Sequence, residues 1–342
     1  MLVGRGFPGM KWLRLNWFVA ALPLAVMLAW LVPEAGATGG WLRAEITTKV
    51  GVAVIFLFQG LTLAADALKA GARQWRLHVL VQGFTFLGFP LLGILLDQLL
   101  GFWASADLRL GFLFLCVLPS TVSSAVVMTA AAGGNTAGAI FNAVASSLIG
   151  VFLTPLWIAW LIRSTGESIP LGPVVLEIGL LLLAPFFIGQ VLRRWARAWA
   201  DAHRRRLANT SSGIILFIVF AAFCNSVQSR IWSQHGSSLV VGAVLGTILI
   251  FVLAMVLVGL LIKAGRLNEG DRIAAIFCAP QKTLASGVPM AKVIFGTHPG
   301  LGVILLPVML YHPVQLLVHG VMASRLARRS ERRNDPVPIP VR

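Results

Sequence analysis

Charge is scarce in this chain. Of 342 residues only 12% are Asp, Glu, Lys or Arg, while 58% are hydrophobic and the mean hydropathy is +0.86. A soluble domain averages about 25% charged residues, so a water-soluble globular fold is excluded. Long apolar runs recur from end to end, which also excludes a single-anchor protein and leaves a polytopic membrane protein. Cysteine is scarcer still. Cys116, Cys224 and Cys278 all lie in apolar surroundings and form neither a paired framework nor a metal-ligand spacing, so they read as small packing residues. Paired carboxylates, a nucleophile elbow, a phosphate loop and a metal cluster are all missing from the sequence, and nothing reads as an enzyme. Acids are few as well: 12 against 28 basic residues, a net charge of +16 and a pI near 11.5. That balance alone would suit a nucleic-acid binder. The basic residues instead fall in short clusters between apolar runs, where the positive-inside rule accounts for them, so no nucleic-acid partner is expected.

The apolar runs predict ten spans: 15–33, 47–68, 77–100, 108–131, 136–162, 171–191, 207–229, 237–262, 272–295 and 301–324. The first run follows Arg5, Lys11 and Arg14. It is longer than a signal-peptide core of roughly 7–15 residues and lacks a clear small-residue cleavage site, so it reads as a retained span. With the N-terminus inside, 21 basic residues fall in cytoplasmic segments and five in external ones. The largest cytoplasmic cluster is a loop from Arg193 to Arg206. This bias supports ten crossings with both termini in the cytoplasm. Asp66, at the end of the second span, reads as reaching the cytoplasmic interface.

Two spans are internally broken. In residues 116–129, Pro119 interrupts an apolar run and is followed by Ser120, Thr121, Ser123 and Ser124. In residues 278–290, Pro280 and Pro289 bracket Gln281, Lys282, Thr283 and Ser286. Proline removes a helix hydrogen bond and crowds the preceding turn. In hydrocarbon such a break survives only inside protein or beside a wet cavity. A lysine at that depth costs roughly 2.5–3.5 kcal/mol on insertion scales, which makes it a functional-site candidate. A third interruption is expected at Tyr311-His312-Pro313. The broken spans are fourth in each set of five. An odd repeat must be inverted in the membrane, so the chain reads as segment 1–14, a repeat over 15–162, an inverted repeat over 163–325 and a basic tail over 326–342. Interrupted segments at matching places in two halves point to the site of a secondary transporter.

The motifs Leu118-Pro119-Ser120-Thr121-Val122-Ser123-Ser124, Gly134-Asn135 followed by Ile140-Phe141-Asn142, Phe152-Leu153-Thr154-Pro155, Pro280 through Met290, and Tyr311-His312 with Gln315 resemble the bile acid:sodium symporter family. The likeness is strongest to the branch of the vertebrate seventh member and its bacterial relatives. It covers nearly the whole chain, and the motif from Pro280 is its most specific part. The resemblance implies an all-α membrane fold of ten transmembrane helices in two inverted five-helix repeats. A panel domain (spans one, two, six and seven) would face a core domain in which the broken helices cross. In sodium-coupled members polar groups there bind two sodium ions beside an organic-anion cavity. By position Ser124 matches a sodium-binding serine, and Gln281 lies near a sodium-binding glutamine. The sequence departs from that pattern at Ala125, where asparagine is expected, and in having no acid near Cys278. Both departures run against two-sodium coupling.

Sodium takes hard oxygen ligands. Ser120, Thr121, Ser123, Ser124, Gln281, Thr283 and Ser286 offer them, and Asn142 and Ser146 share one helix face and are placed to complete the set. The bland alternative is hydrogen bonding between packed helices. Lys282 has three readings: a fixed cation in place of a bound sodium, a proton-coupling group, or an attractor of an anionic substrate. Lys292 reads as snorkelling to an interface. Gln82, Asn225 and His312 are read as cavity-lining. The leading expectation is a secondary-active transporter of the bacterial inner membrane. It would carry an organic anion or amphipathic solute, coupled to Na+ or H+, with a lipid bilayer as its other partner and no resident cofactor. The rival is a non-transporting membrane regulator or scaffold that affects calcium handling or envelope assembly.

Overall fold

The structure, a computed structural model, describes residues 17–63, 71–101, 104–164, 176–296 and 298–334. The segment 1–14, Asp66 and the last eight residues of the basic tail lie outside the described residues. Those described fold almost entirely into helices, and no strand occurs among them. In chain order they are α1 (Trp17–Leu31), α2 (Pro33–Gly36), α3 (Ala44–Thr62), α4 (Trp75–Gly83), α5 (Phe89–Leu100), α6 (Ala106–Val117), α7 (Ser123–Ala131), α8 (Thr136–Ser164), α9 (Ala184–Ala202), α10 (Arg204–Gln228), α11 (Ile231–Ala264), α12 (Glu269–Cys278), α13 (Leu284–Phe295) and α14 (Leu301–Asn334). Wide π-turns at Phe84–Gly88 and Gly179–Leu183 join α4 to α5 and lead into α9. Among the described residues, seven helical stretches are long and apolar enough to cross a membrane. Trp17–Leu31 and Leu284–Phe295 are shorter apolar helices.

Both expected interruptions are present. Helix α6 stops at Val117 and α7 starts at Ser123; α12 stops at Cys278 and α13 starts at Leu284. Three expectations need correction. Pro289 does not break its helix but sits within α13. The carbonyl that loses its partner there belongs to Ala285, which is exposed on the cavity described below, so the missing donor leaves no buried group stranded. Tyr311-His312-Pro313 does not interrupt the last span either. Helix α14 runs unbroken through Pro307 and Pro313 for 34 residues. The supposed loop from Arg193 to Arg206 is mostly helix, because α9 continues to Ala202 and α10 begins at Arg204. Its Arg, Ala and Trp residues permit helix, and its alternation of polar and apolar faces suits a membrane surface.

Helix α9 lies along α3, and α10 packs against α1 and α3. On the other side α14 packs against α6 and α11, while α8 and α12 flank α7. Helix α3 ends where α9 takes its last carbonyls: Gln190 Nε2 donates to Gly60 O (2.7 Å) and Leu63 O (3.1 Å), and Arg193 to Leu61 O (2.7 Å). Between these two groups of helices the broken segments cross.

Candidate functional site

A break in a buried helix frees backbone groups, and each must find a partner inside the protein. Here every freed carbonyl of residues 116–119 finds one. Cys116 O and Leu118 O accept from Lys282 Nζ (3.0 and 2.7 Å), Val117 O from Thr154 Oγ1 (2.8 Å), and Pro119 O from the backbone N–H of Thr283 (3.0 Å). The second break is matched in turn. Cys278 O accepts from Ser120 Oγ (2.6 Å), Ala279 O from Thr85 Oγ1 (3.4 Å) and Pro280 O from Tyr311 OH (2.6 Å). Gln315 takes Lys282 from both sides: its Oε1 accepts from Lys282 N and its Nε2 donates to Lys282 O, both at 2.8 Å. The two breaks therefore lie in direct contact and are hydrogen-bonded to each other.

Lys282 is 1% exposed. Its ammonium also donates to Thr85 O (3.2 Å), a carbonyl in the first π-turn, and stands 4.0 Å from the centre of the Phe89 ring. Carbonyls and an aromatic face, rather than a carboxylate, surround the charge. This answers the cost of burial, since all three ammonium donors are used.

Next to the crossing lies a cavity of about 760 Å³. Its floor is polar and comes from both broken segments: Thr121, Ser123, Ser124, Thr283 and Ser286. Its walls are largely apolar, with Ile55 and Phe58 of α3, Ile215 of α10 and Leu316 of α14 among them, and Arg204 stands on its lining. Ser286 Oγ reaches across to Gln59 Oε1 of α3 at 3.4 Å.

The structure brings most of the expected site residues together. Thr121, Ser124 and Gln281 form one cluster. Ser124 Oγ donates to Gln281 Oε1 (2.7 Å), the Thr121 and Ser124 hydroxyl oxygens are 2.6 Å apart, and Thr121 also touches Gln281 Oε1. Ser146 is joined to the crossing by accepting from Ser120 N (2.9 Å). Asn142 is not: it binds Gln82 (3.1 Å) and His78 (3.0 Å) instead, one turn away from Ser146. Gln82 spends its Nε2 on Asn142 while its Oε1 has no partner among the described residues, and it is not on the cavity lining. Asn225 holds Thr38 (2.9 and 3.1 Å) and does not line it either. His312 lines the cavity, with Nδ1 3.0 Å from Gln315 Nε2. Lys292 does not snorkel; it is 7% exposed and donates to Gly296 O at 3.1 Å. Residue-by-residue reading gave no site role to Tyr311, Gln315 and His319. They lie four apart on α14, and all three meet the second break, His319 Nδ1 lying 3.0 Å from Gln281 Nε2. Their i, i+4, i+8 spacing on an apolar helix was the available signal.

Sodium can be weighed against these residues. With its amide nitrogen turned to His319, Gln281 presents its oxygen to two hydroxyls. Those two hydroxyls and the amide oxygen stand together as three neutral oxygens. This donor set suits one cation held by neutral oxygens. The carbonyls of Thr85, Cys116 and Leu118 are taken by the Lys282 ammonium and are not open to a cation.

Comparison with known proteins identifies the family. The model of the SBF-like CPA transporter family matches residues 16–328. Similar chains include the uncharacterised protein PA2026 of Pseudomonas aeruginosa, 40% identical over 92% of this chain and 93% of that one. Another is Escherichia coli K12 YfeH, whose name marks it as a candidate symporter, 38% identical over 92% and 93%. The sodium/bile acid cotransporter 7 of Danio rerio is 34% identical over 90% and 93%.

Proposed function

We propose, from the premise that the chain belongs to the SBF-like CPA transporter family, that it is a secondary-active transporter of an organic anion or amphipathic solute, coupled to a cation. That it is a multi-pass membrane transporter and not an enzyme follows from the family and from its apolar helices. The finer reading is ours. Counting α1 and each broken pair as one crossing beside the seven long helices gives ten crossings, read as two inverted five-helix repeats. Helices α1, α3, α9 and α10 then form a panel, and the remaining helices a core. The distribution of basic residues favours cytoplasmic termini, and the similar Pseudomonas and Escherichia chains favour a bacterial inner membrane.

The observation that carries the reading is the cavity floor, where hydroxyls of both breaks face one space and the opposite wall belongs to α3 and α10. A solute with a polar end on Ser123, Ser124, Thr283 and Ser286 and an apolar body along Phe58 and Leu316 suits such a space. Lys282 supplies a fixed positive charge beneath the floor. Thr121, Ser124 and Gln281 would hold a sodium ion, which the name of the zebrafish relative suggests; the ion would add mobile positive charge beside the fixed one. Rocking of the panel against the core would expose the floor to each side in turn.

The test is uptake of a bile-acid probe, taurocholate, into proteoliposomes with and without a sodium gradient. Saturable uptake is expected. Val127→Trp, which projects into the cavity from an exposed position, should abolish it without lowering the melting temperature. Ser124→Ala should remove the dependence on sodium. Uptake indifferent to Val127→Trp would overturn the assignment of the cavity, and uptake indifferent to the gradient would overturn sodium coupling.

A further inference from the structure

A second cavity, of about 800 Å³, lies between α3, the helix that begins at Leu176, and the C-terminal end of α13. It shares no lining residue with the first. Four charged side chains stand at its rim: Glu45 and Lys49 of α3, Glu177, and Lys292 of α13. Lys49 Nζ and Glu177 Oε1 pair at 2.5 Å. The other two are under-engaged. Glu45 Oε2 is buried without a hydrogen-bond partner. Lys292, 7% exposed, donates to one carbonyl, Gly296 O, although an ammonium has three protons to give. The four charges sum to zero, and among the described residues neither Glu45 nor Lys292 has an ion-pair partner.

Below the charges the lining is apolar. It descends α3 from Ile46 through Val50 to Leu57, and the neighbouring helix through Leu181 to Ile188. Ile46, Val50 and Ile188 are more than half exposed, so this is a groove open to its surroundings and not a sealed cavity. Its back is a seam where α3 and α9 touch backbone to backbone. A Cβ at Gly60 would strike the Phe186 carbonyl, and one at Gly189 would strike that of Leu57. The twelve residue-to-residue steps from Glu45 to Leu57 span roughly 18 Å at 1.5 Å per residue. Half of a hydrocarbon core is about 15 Å.

We infer that this groove binds one molecule of a zwitterionic phospholipid with a primary amine, phosphatidylethanolamine, its headgroup on the charged quartet and an acyl chain along the α3–α9 seam. The phosphate meets Lys292, with the Lys49–Glu177 pair beside it, and the ammonium donates to the unpartnered Oε2 of Glu45. An anionic headgroup would meet two carboxylates without a counter-charge of its own. A choline headgroup carries the right charge but has no N–H to give Glu45. A soluble zwitterion would leave the apolar wall uncovered. The bound lipid joins α3 to α13 at this end of the molecule. The inference stands independently of the transport reading.

The test is native mass spectrometry of the purified, delipidated full-length protein, titrated with phosphatidylethanolamine, phosphatidylcholine and phosphatidylglycerol of identical chains. One retained phosphatidylethanolamine is expected, preferred about tenfold over the other two, the worth of one good polar contact. Glu45→Gln should bring the ethanolamine-to-choline ratio close to one. Lys292→Gln should weaken both lipids alike. Ile188→Trp, at an exposed wall position, should displace all three lipids without changing any charge. Tighter binding of phosphatidylglycerol, a preference unmoved by Glu45→Gln, or retention unmoved by Ile188→Trp would each overturn the assignment. Equal binding of free phosphoethanolamine would overturn the role of the seam.

Discussion

The two breaks have the same length and opposite chemistry. The break at residues 118–122 is an acceptor: its carbonyls point at groups supplied from elsewhere, chiefly the Lys282 ammonium. The break at 279–283 is a donor, sending Lys282 and the Thr283 N–H outward, while its own backbone is tended by Tyr311 and Gln315 of α14. Two unwound segments of equal polarity would compete for partners or admit water. Here one completes the other, so neither is stable in its present form alone. The general lesson is that a buried charge can be retained because it satisfies backbone, with no carboxylate needed.

The contrast can be broken most severely at Lys282. Lys282→Met removes the donor from three buried carbonyls, each worth about 1–3 kcal/mol when left unpaired. Against a total stability of about 5–15 kcal/mol, this should sharply reduce the yield of monodisperse protein in size-exclusion chromatography. Near-normal yield and melting temperature would mean that the breaks do not depend on each other. Gln315→Leu strikes only the donor break and leaves the N–H and carbonyl of Lys282 unpaired. A loss of roughly 2–4 kcal/mol is expected in thermal unfolding, from two stranded backbone groups. The smallest effect belongs to Ser120→Ala, which deletes one hydroxyl contact to Cys278 O while Ser120 N keeps its bond to Ser146. About 1 kcal/mol is expected. A larger drop than that of Gln315→Leu would place the weight of the crossing on the acceptor side.

Much of this was legible in residue order. Pro119 and Pro280 mark both breaks, because proline lacks a donor wherever it sits and the chain on either side is too apolar for a loop. The hydroxyl-rich floor was legible for the same reason: polar side chains amid hydrocarbon need one another. The fate of Pro289, Pro307 and Pro313 was not. Whether a proline ends a helix depends on whether the carbonyl it orphans can be tolerated, and that is decided by neighbours distant in sequence. Asn142 was misplaced because a shared helix face fixes direction but not partner, and His78 and Gln82 reached it first. The four charges Glu45, Lys49, Glu177 and Lys292 come from three separate helices, and no local pattern announces their meeting.

The unbroken passage of α14 through its prolines has a mechanical consequence. Tyr311, Gln315 and His319 are three rivets set one turn apart along a single shaft, each fastened to a different residue of the strip Pro280–Lys282. A sideways swing of that shaft alone would shear all three together, whereas a swing of shaft and strip as one piece would shear none. The slip plane must therefore lie beyond them, where, among the described residues, a single long contact between Ser286 and Gln59 spans the cavity floor.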